Sequence, residues 1–266
     1  MTIIKKFIPV IALLPLIFLQ AAWASRYFCQ LTKPQVQVLS SLTKRSIVDY
    51  YQAMMFCPEF DGYYPLRKVQ NEWIFGNPAW DEPLFSSIVD IKNGFIEVKK
   101  EVLEGQKIIQ VALFKASNGN DIIGYAKAEK VDAMFGYKNT ELSFYQLNDT
   151  GDKLLNVTQN VFPEITFMDF GSSSDEFRKI KTIKNDDFHD AAENSPLFYY
   201  ELPHVGTRIK VNLIPKSLSH FYHYYAPESL AQSSDLEILN RYESQIKTDT
   251  IELTWDKQKS RFAVQY

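Results

Sequence analysis

His220 and His223 stand three residues apart in a chain with only four histidines. On a helix they share one face, and a pair so placed can hold zinc. A zinc site needs further ligands, and none stands nearby. The neighbours Phe221, Tyr222, Tyr224 and Tyr225 point instead to packing or to a half-wet aromatic surface. Asp186, Asp187, His189 and Asp190 gather donors within five residues. A calcium loop alternates its oxygen ligands and turns on a glycine. This stretch does not follow that arrangement and reads as a solvated acidic loop. His189 with Asp187 or Asp190 could form the carboxylate–imidazole pair that general acid–base chemistry uses. These six residues are the acid–base or metal candidates of the chain; no metal site and no cofactor is expected.

The motifs that announce an activity are missing. There is no Gly-x-Ser-x-Gly elbow for a nucleophilic serine. The ten glycines are dispersed and form no phosphate loop. Cys29 and Cys57 are the only cysteines, and they are too far apart for a Cys-x-x-Cys redox pair. Carboxylate pairs for glycoside hydrolysis are a matter of three-dimensional distance, which a sequence does not give.

Aromatic residues are the more unusual feature. Tyr63, Tyr64, Trp73, Phe75 and Trp80 fall within residues 61–83, a stretch interrupted by Gly62, Pro65, Gly76, Pro78 and Pro83. Such side chains either pack onto a core or present a binding surface for a sugar or a protein. Packing is the commoner fate, and the segment is the candidate binding surface.

The first residues set the compartment. Lys5 and Lys6 are followed by an apolar stretch over 7–19 and by Ala22-Trp23-Ala24. A positive start, a short apolar run and a small-x-small site define a secretory signal, with cleavage between Ala24 and Ser25. The run is too short to span a bilayer as a helix, and Pro9 and Pro15 interrupt it. The expectation is an exported protein, periplasmic or secreted, without a transmembrane anchor. In an oxidising compartment an even cysteine count predicts a Cys29–Cys57 disulfide, contributing about 3–4 kcal/mol on the chain-entropy model. Removal of Lys5 and Lys6 takes the 29 basic residues to 27 against 32 acidic ones, a net charge of −5. With Lys and Arg scattered among Asp and Glu, nothing makes the basic face a nucleic-acid binder needs, and no nucleic acid is expected as a partner.

Periodicity supplies the elements. After Thr43, taken as a cap, Ile47, Tyr50, Tyr51 and Met54 recur at helical spacing up to Pro58. The chain then changes to period two. Strands are predicted over 95–102, 107–115 and 122–130, with Asn118-Gly119 as the tight turn between the last two. Further hairpins pair 141–147 with 154–158, 198–202 with 207–213, and 250–255 with 261–266, with a short helical turn in 163–170. A short helix is expected behind Ser234 and Glu237, which resemble a capping box. The βαβ alternation of a parallel sheet is absent.

The segments Ile251-Glu252-Leu253-Thr254-Trp255-Asp256, Gly206-Thr207-Arg208-Ile209-Lys210-Val211, and Ala112-Leu113-Phe114-Lys115 with its Asn118-Gly119 turn resemble stretches of uncharacterised exported bacterial proteins. The resemblance implies an antiparallel, sheet-rich envelope protein and carries no activity with it.

The expected fold is α+β: an N-terminal helix with mainly antiparallel hairpins in two sheets or subdomains. The expected organisation is a signal peptide at 1–24, a helix and aromatic-rich segment at 25–92, an antiparallel sheet at 93–170, and a second β-rich part at 171–266. The expected function is non-enzymatic binding of a protein or an envelope glycan. The rival is an envelope hydrolase that works with carboxylates or a His/Asp pair.

Overall fold

The computed structural model describes residues 28–54, 57, 60, 64–70, 72–76, 85–102, 105–131, 136–165, 167–171, 198–213 and 246–264. The described fold is mainly β, and this corrects the α+β expectation. Three antiparallel sheets carry it. The largest has seven strands in the order β1-β9-β8-β7-β6-β5-β4. These are β1 (Phe28–Gln30), β4 (Phe85–Asp90), β5 (Phe95–Val102), β6 (Gly105–Lys115), β7 (Asp121–Val131), β8 (Gly136–Leu147) and β9 (Lys153–Asn156). A second sheet runs β10 (Phe198–Glu201), β11 (Arg208–Leu213), β12 (Thr250–Asp256) and β13 (Arg261–Val264). The third is the hairpin of β2 (Leu66–Val69) and β3 (Glu72–Phe75).

Among the described residues helix is confined to short pieces. They are α1 (Lys33–Ser41), α2 (Ile47–Met54), the single turn α3 (Thr158–Val161) and a 3-10 turn at Phe167–Phe170. The N-terminal region thus holds two helices where the periodicity predicts one. Pro34 sits in the first turn of α1, where a missing N–H costs nothing. The Gln35 side chain accepts the Thr32 amide at 2.5 Å. Helix α2 starts one turn later than its predicted cap. Ser46, not Thr43, marks the start, with the Asp49 carboxylate accepting both the Ser46 amide and its hydroxyl at 2.7 Å.

Alternation along the strands divides the large sheet into two apolar faces. Ile96, Val98, Ile109, Val111, Ile123 and Tyr125 face the helices, where Tyr50, Tyr51 and Met54 of α2 meet them. Phe95, Ala112, Phe114, Ala126 and Phe144 face the four-stranded sheet and pack against Ile209, Val211, Leu253, Trp255 and Phe262. The described chain is therefore three layers: helices, large sheet, small sheet. Because the large sheet is covered on both faces, consecutive residues are buried in the middle of its strands, as at Val111-Ala112 and Ile122-Ile123.

The inter-sheet layer is aromatic. Phe114 meets Phe262 edge-on with ring centroids 5.0 Å apart, and Trp255 meets Phe262 at 5.0 Å. Gly124 makes room for these rings. A Cβ there would lie 3.0 Å from Phe114 and 3.1 Å from Phe144.

Candidate functional site

The disulfide joins Cys29 in β1 to Cys57 beyond α2, with Cα atoms 5.6 Å apart and both residues buried. It ties an edge strand to the end of a helix, as the cysteine count predicts. Of the aromatic candidates, Phe75 is buried, while Tyr64 and Trp73 pack at the margin of the helix-side core. Tyr51 meets Phe75 edge-on at 5.6 Å and donates its hydroxyl to the Tyr64 carbonyl at 3.1 Å. Lys100 lies over the Tyr64 ring, 5.4 Å from its centroid. Phe75 and Tyr64 are thereby engaged in holding the β2–β3 hairpin against α2, and Trp73 is half-buried at the margin of the same core. Tyr63, Trp80, Asp186, Asp187, His189, Asp190, His220 and His223 lie outside the described residues.

Beside that packing, α1, α2 and β2 leave a groove of about 330 Å³. Its apolar lining comes from Pro34, Val38 and Leu39 of α1, Ala53 of α2, and Pro65 and Leu66 at β2. Val38 is 53% exposed although it is apolar. The groove exists because α1 buries only Leu39 fully and leaves Val38 outside the core. The polar side chains in the wall are engaged locally. Gln35 donates to the Ala53 carbonyl at 2.7 Å, and Gln52 donates to the Leu66 carbonyl at 3.3 Å. Asp49 is taken by Ser46. The wall is thus held open by its own hydrogen bonds and presents mainly carbon to a ligand. Its volume falls at the small end of the ~300–1,000 Å³ range of ligand pockets.

A second concavity, about 390 Å³, opens where β9 ends beside β8. Ser143, Asn156, Thr158 and Gln159 give it a polar lining. Ser143 donates to Glu141 at 3.3 Å. Burial pushes the Glu141 carboxyl above its ordinary value, against the opposing pull of Lys127 and the Ser143 hydroxyl.

A third arrangement joins the two sheets. His204 Nε2 lies 2.9 Å from Asp90 Oδ2, and the imidazole stacks on Phe95 with centroids 4.9 Å apart. Asp90 also accepts the Asn93 amide at 3.0 Å and its side-chain N–H at 2.7 Å. Those two bonds, helped by His204, hold the Asp90 carboxyl down at about 2. A carboxylate that orients an imidazole is the partnership acid–base catalysis uses. Here Asp90 ends β4 and His204 sits on the turn before β11, and the imidazole is half exposed. Sequence reading passed over this pair. The only local signals are the Asn93-Gly94 turn after Asp90 and the Pro203–Gly206 turn around His204, 114 residues away.

No family model matches this chain, and no curated protein does. Among solved structures, it is similar to a domain of an uncharacterized protein from Porphyromonas gingivalis W83. The two share 13% identity over 68% of this chain and 80% of that one, with a TM-score of 0.37. Among the described residues no helix is long and apolar enough to cross a membrane, and no three metal-ligating side chains converge.

Proposed function

We propose that this chain is an exported, non-enzymatic binding protein that docks another protein in the groove between α1, α2 and β2. The observation that carries the reading is the groove's chemistry. It is preformed and apolar, and Gln35, the Gln52 side-chain N–H and one oxygen of Asp49 are hydrogen-bonded within its own walls. Such a surface rewards insertion of apolar side chains. It offers few free hydrogen-bonding groups to a sugar. Phe75 and Tyr64, two of the aromatics that would supply a stacking platform for a glycan, are engaged in packing α2. Export is supported by the Lys5–Lys6 start, the apolar run and the Ala22-Trp23-Ala24 site, together with the Cys29–Cys57 disulfide.

Two measurements test this. Protein recovered from cells should begin at Ser25 and show no alkylatable thiol before reduction; an intact N-terminus with two reactive thiols removes the export reading. A photoreactive residue placed at position 38 in intact cells should yield a discrete adduct, identified by mass, that the same probe at exposed position 205 does not give. Equal labelling from both positions removes the docking reading.

The Asp90–His204 pair favours a second reading, an envelope hydrolase. Turnover of amide, ester or glycoside substrates that disappears in His204→Ala would be its signature. Turnover that survives His204→Ala would exclude it.

A further inference from the structure

Two Asn-Gly pairs occupy turns, and the fold holds them differently. Asn93-Gly94 follows β4, and Asn118-Gly119 joins β6 to β7. Such a pair can rearrange without an enzyme. The glycine nitrogen attacks the asparagine side-chain carbon, and no side chain on the glycine hinders the approach. The rate depends on how firmly both groups are held and how readily the turn opens.

Asn93-Gly94 is clamped. The Asn93 side-chain nitrogen donates to Asp90 Oδ2 at 2.7 Å, and its backbone amide donates to Asp90 Oδ1 at 3.0 Å. Gly94 is buried, and its carbonyl accepts the Leu113 amide at 2.9 Å. A Cβ on Gly94 would lie 3.0 Å from the Leu113 Cβ. Attack there must break bonds to a carboxylate and disturb packing against β6.

Asn118-Gly119 is open. Both residues are exposed, and nothing lies within 4 Å of where a Gly119 Cβ would stand. The Asn118 side-chain nitrogen, the group that must leave, has no partner among the described residues. The side-chain oxygen accepts the Asn120 amide at 3.0 Å. That bond turns the carboxamide toward the C-terminal side of the residue, where the Gly119 nitrogen lies, and draws electron density from its carbon.

We propose that Asn118-Gly119 is a site of spontaneous modification, where the open turn lets the Gly119 nitrogen attack Asn118 Cγ, while Asp90 and Leu113 shield the matching pair at Asn93-Gly94. The N–Cγ bond forms and the Cγ–Nδ2 bond breaks. Nδ2 leaves as ammonia, taking the proton of the Gly119 amide. Water then opens the cyclic imide. Attack at Cγ gives aspartate. Attack at the Asn118 backbone carbonyl carbon gives isoaspartate, whose main chain runs through Cβ and Cγ and is one carbon longer.

The position gives the change its reach. The Ala116 amide donates to the Asn120 carbonyl at 3.0 Å, and the Gly119 amide to the Ala116 carbonyl at 3.2 Å. The Ser117 amide donates to the Lys257 carbonyl at 3.0 Å, between the two larger sheets. Aspartate keeps an acceptor for the Asn120 amide and so keeps the turn. Isoaspartate lengthens the chain between Ala116 and Asn120, which misplaces both turn bonds and loosens the tie to Lys257.

The test holds the mature protein, disulfide intact, in warm, mildly alkaline buffer and maps its peptides by mass spectrometry over time. In the folded protein Asn118 should convert at least about tenfold faster than Asn93, because a hydrogen bond to a carboxylate is worth about that factor or more. In strong denaturant the two should convert at comparable rates. Asp90→Ala should speed conversion at Asn93 and leave Asn118 unchanged. The isoaspartate-containing fraction should melt below fresh protein, whereas Asn118→Asp should keep the wild-type midpoint.

Equal conversion at both sites in the folded protein, or faster conversion at Asn93, overturns the inference. So does an Asn118 that converts in denaturant but not in the folded protein, because the turn would then be closed to attack. An Asp90→Ala protein whose Asn93 stays as slow as before overturns the clamp. An isoaspartate fraction that melts with fresh protein overturns the structural consequence.

Discussion

Tyr50 donates its hydroxyl to Asp121 Oδ2 across 2.9 Å, and that bond joins the helical layer to the β6–β7 turn. Asp121 also pairs with Lys115 across the same turn. From the other side, Trp255 Nε1 donates to the Lys115 carbonyl at 2.9 Å, and the Ser117 amide donates to the Lys257 carbonyl at 3.0 Å. One tight turn is therefore the place where all three layers are tied. Burial, ahead of the neighbouring Asp121 carboxylate, pushes the Tyr50 phenol well up, so it stays a donor throughout the neutral range.

The first prediction follows from that tie. Tyr50→Phe removes the donor but leaves Asp121 with Lys115, and should cost about 1.5–3 kcal/mol, as for hydrogen bonds to charged groups. Asp121→Ala leaves the buried hydroxyl and Lys115 without their acceptor and should cost at least as much. The double variant should lose less than the sum of the two, because the residues share one bond. Urea denaturation of the four proteins gives the coupling. Strict additivity would mean that the bond does not form in solution.

Gly124 supports a second prediction. An added Cβ there lies inside van der Waals contact of Phe114 and Phe144, in the layer between the sheets, so the rings must give way. Gly124→Val should therefore destabilise by about 1–3 kcal/mol, the usual cost of overpacking. For a domain of this size each kcal/mol lowers the thermal midpoint by about 2–4 °C. Gly124→Ala should fall between the two, since the smaller group asks less movement of the rings. A valine variant that melts with the wild type would show that the layer is loosely packed.

How much of this the sequence made legible depends on where each residue's partners lie. Strands β5 to β8 are readable because their period-two alternation runs over 8–12 residues, and the four-residue β10 and β13 because a turn joins each to a neighbour that alternates cleanly, β11 and β12. Strand β4 and the β2–β3 hairpin are hidden for a physical reason. Each is short, and Gln70, with φ +55°, takes a turn position that usually signals itself with asparagine or glycine. Helix α1 is hidden because Val36, Val38 and Leu39 make little apolar face, and only Leu39 is buried. The groove inherits that obscurity: an apolar surface that leaves the core looks, in sequence, like the absence of a pattern. The Asp90–His204 pair is invisible because its members are brought together only when one sheet packs on the other.

Asp90 gives the third prediction, an acid-limb effect. Its carboxyl titrates near 2 in the folded protein, against an ordinary 3.8, because the two Asn93 bonds and then His204 favour the charged form. A carboxyl with a depressed folded pKa contributes stability that is present above about 3.8 and is lost as pH falls toward 2. Asp152 behaves alike, held near 2 first by Thr150 and then by Asn148. Thermal midpoints measured from pH 5 to pH 2 should fall less steeply in Asp90→Asn than in the wild type, and less steeply again in Asp90→Asn with Asp152→Asn. Both groups are at the surface, so the changes should be modest. Identical slopes in all three proteins would dissolve the Asn93–Asp90–His204 arrangement.

Glu141 reverses the sign. Burial lifts its carboxyl above the ordinary 4.5, and neither Lys127 nor Ser143 offsets that lift. A group whose folded pKa is raised favours folding while protonated, and that contribution is lost as pH climbs through the folded value. Above the folded value the protein holds an ionised carboxylate in a place that prefers a neutral group. Glu141→Gln keeps the shape and an acceptor for the Ser143 hydroxyl, and removes the charge. It should raise the urea midpoint at pH 7 and leave it nearly unchanged at pH 3, where the wild-type group is protonated. Lys127, which faces Glu141 across the β7–β8 ladder, should lose little because it can turn to water. A glutamine variant that is less stable than wild type at pH 7 would mean that the Lys127 attraction outweighs burial, and that the charge at Glu141 helps to hold β7 and β8 together.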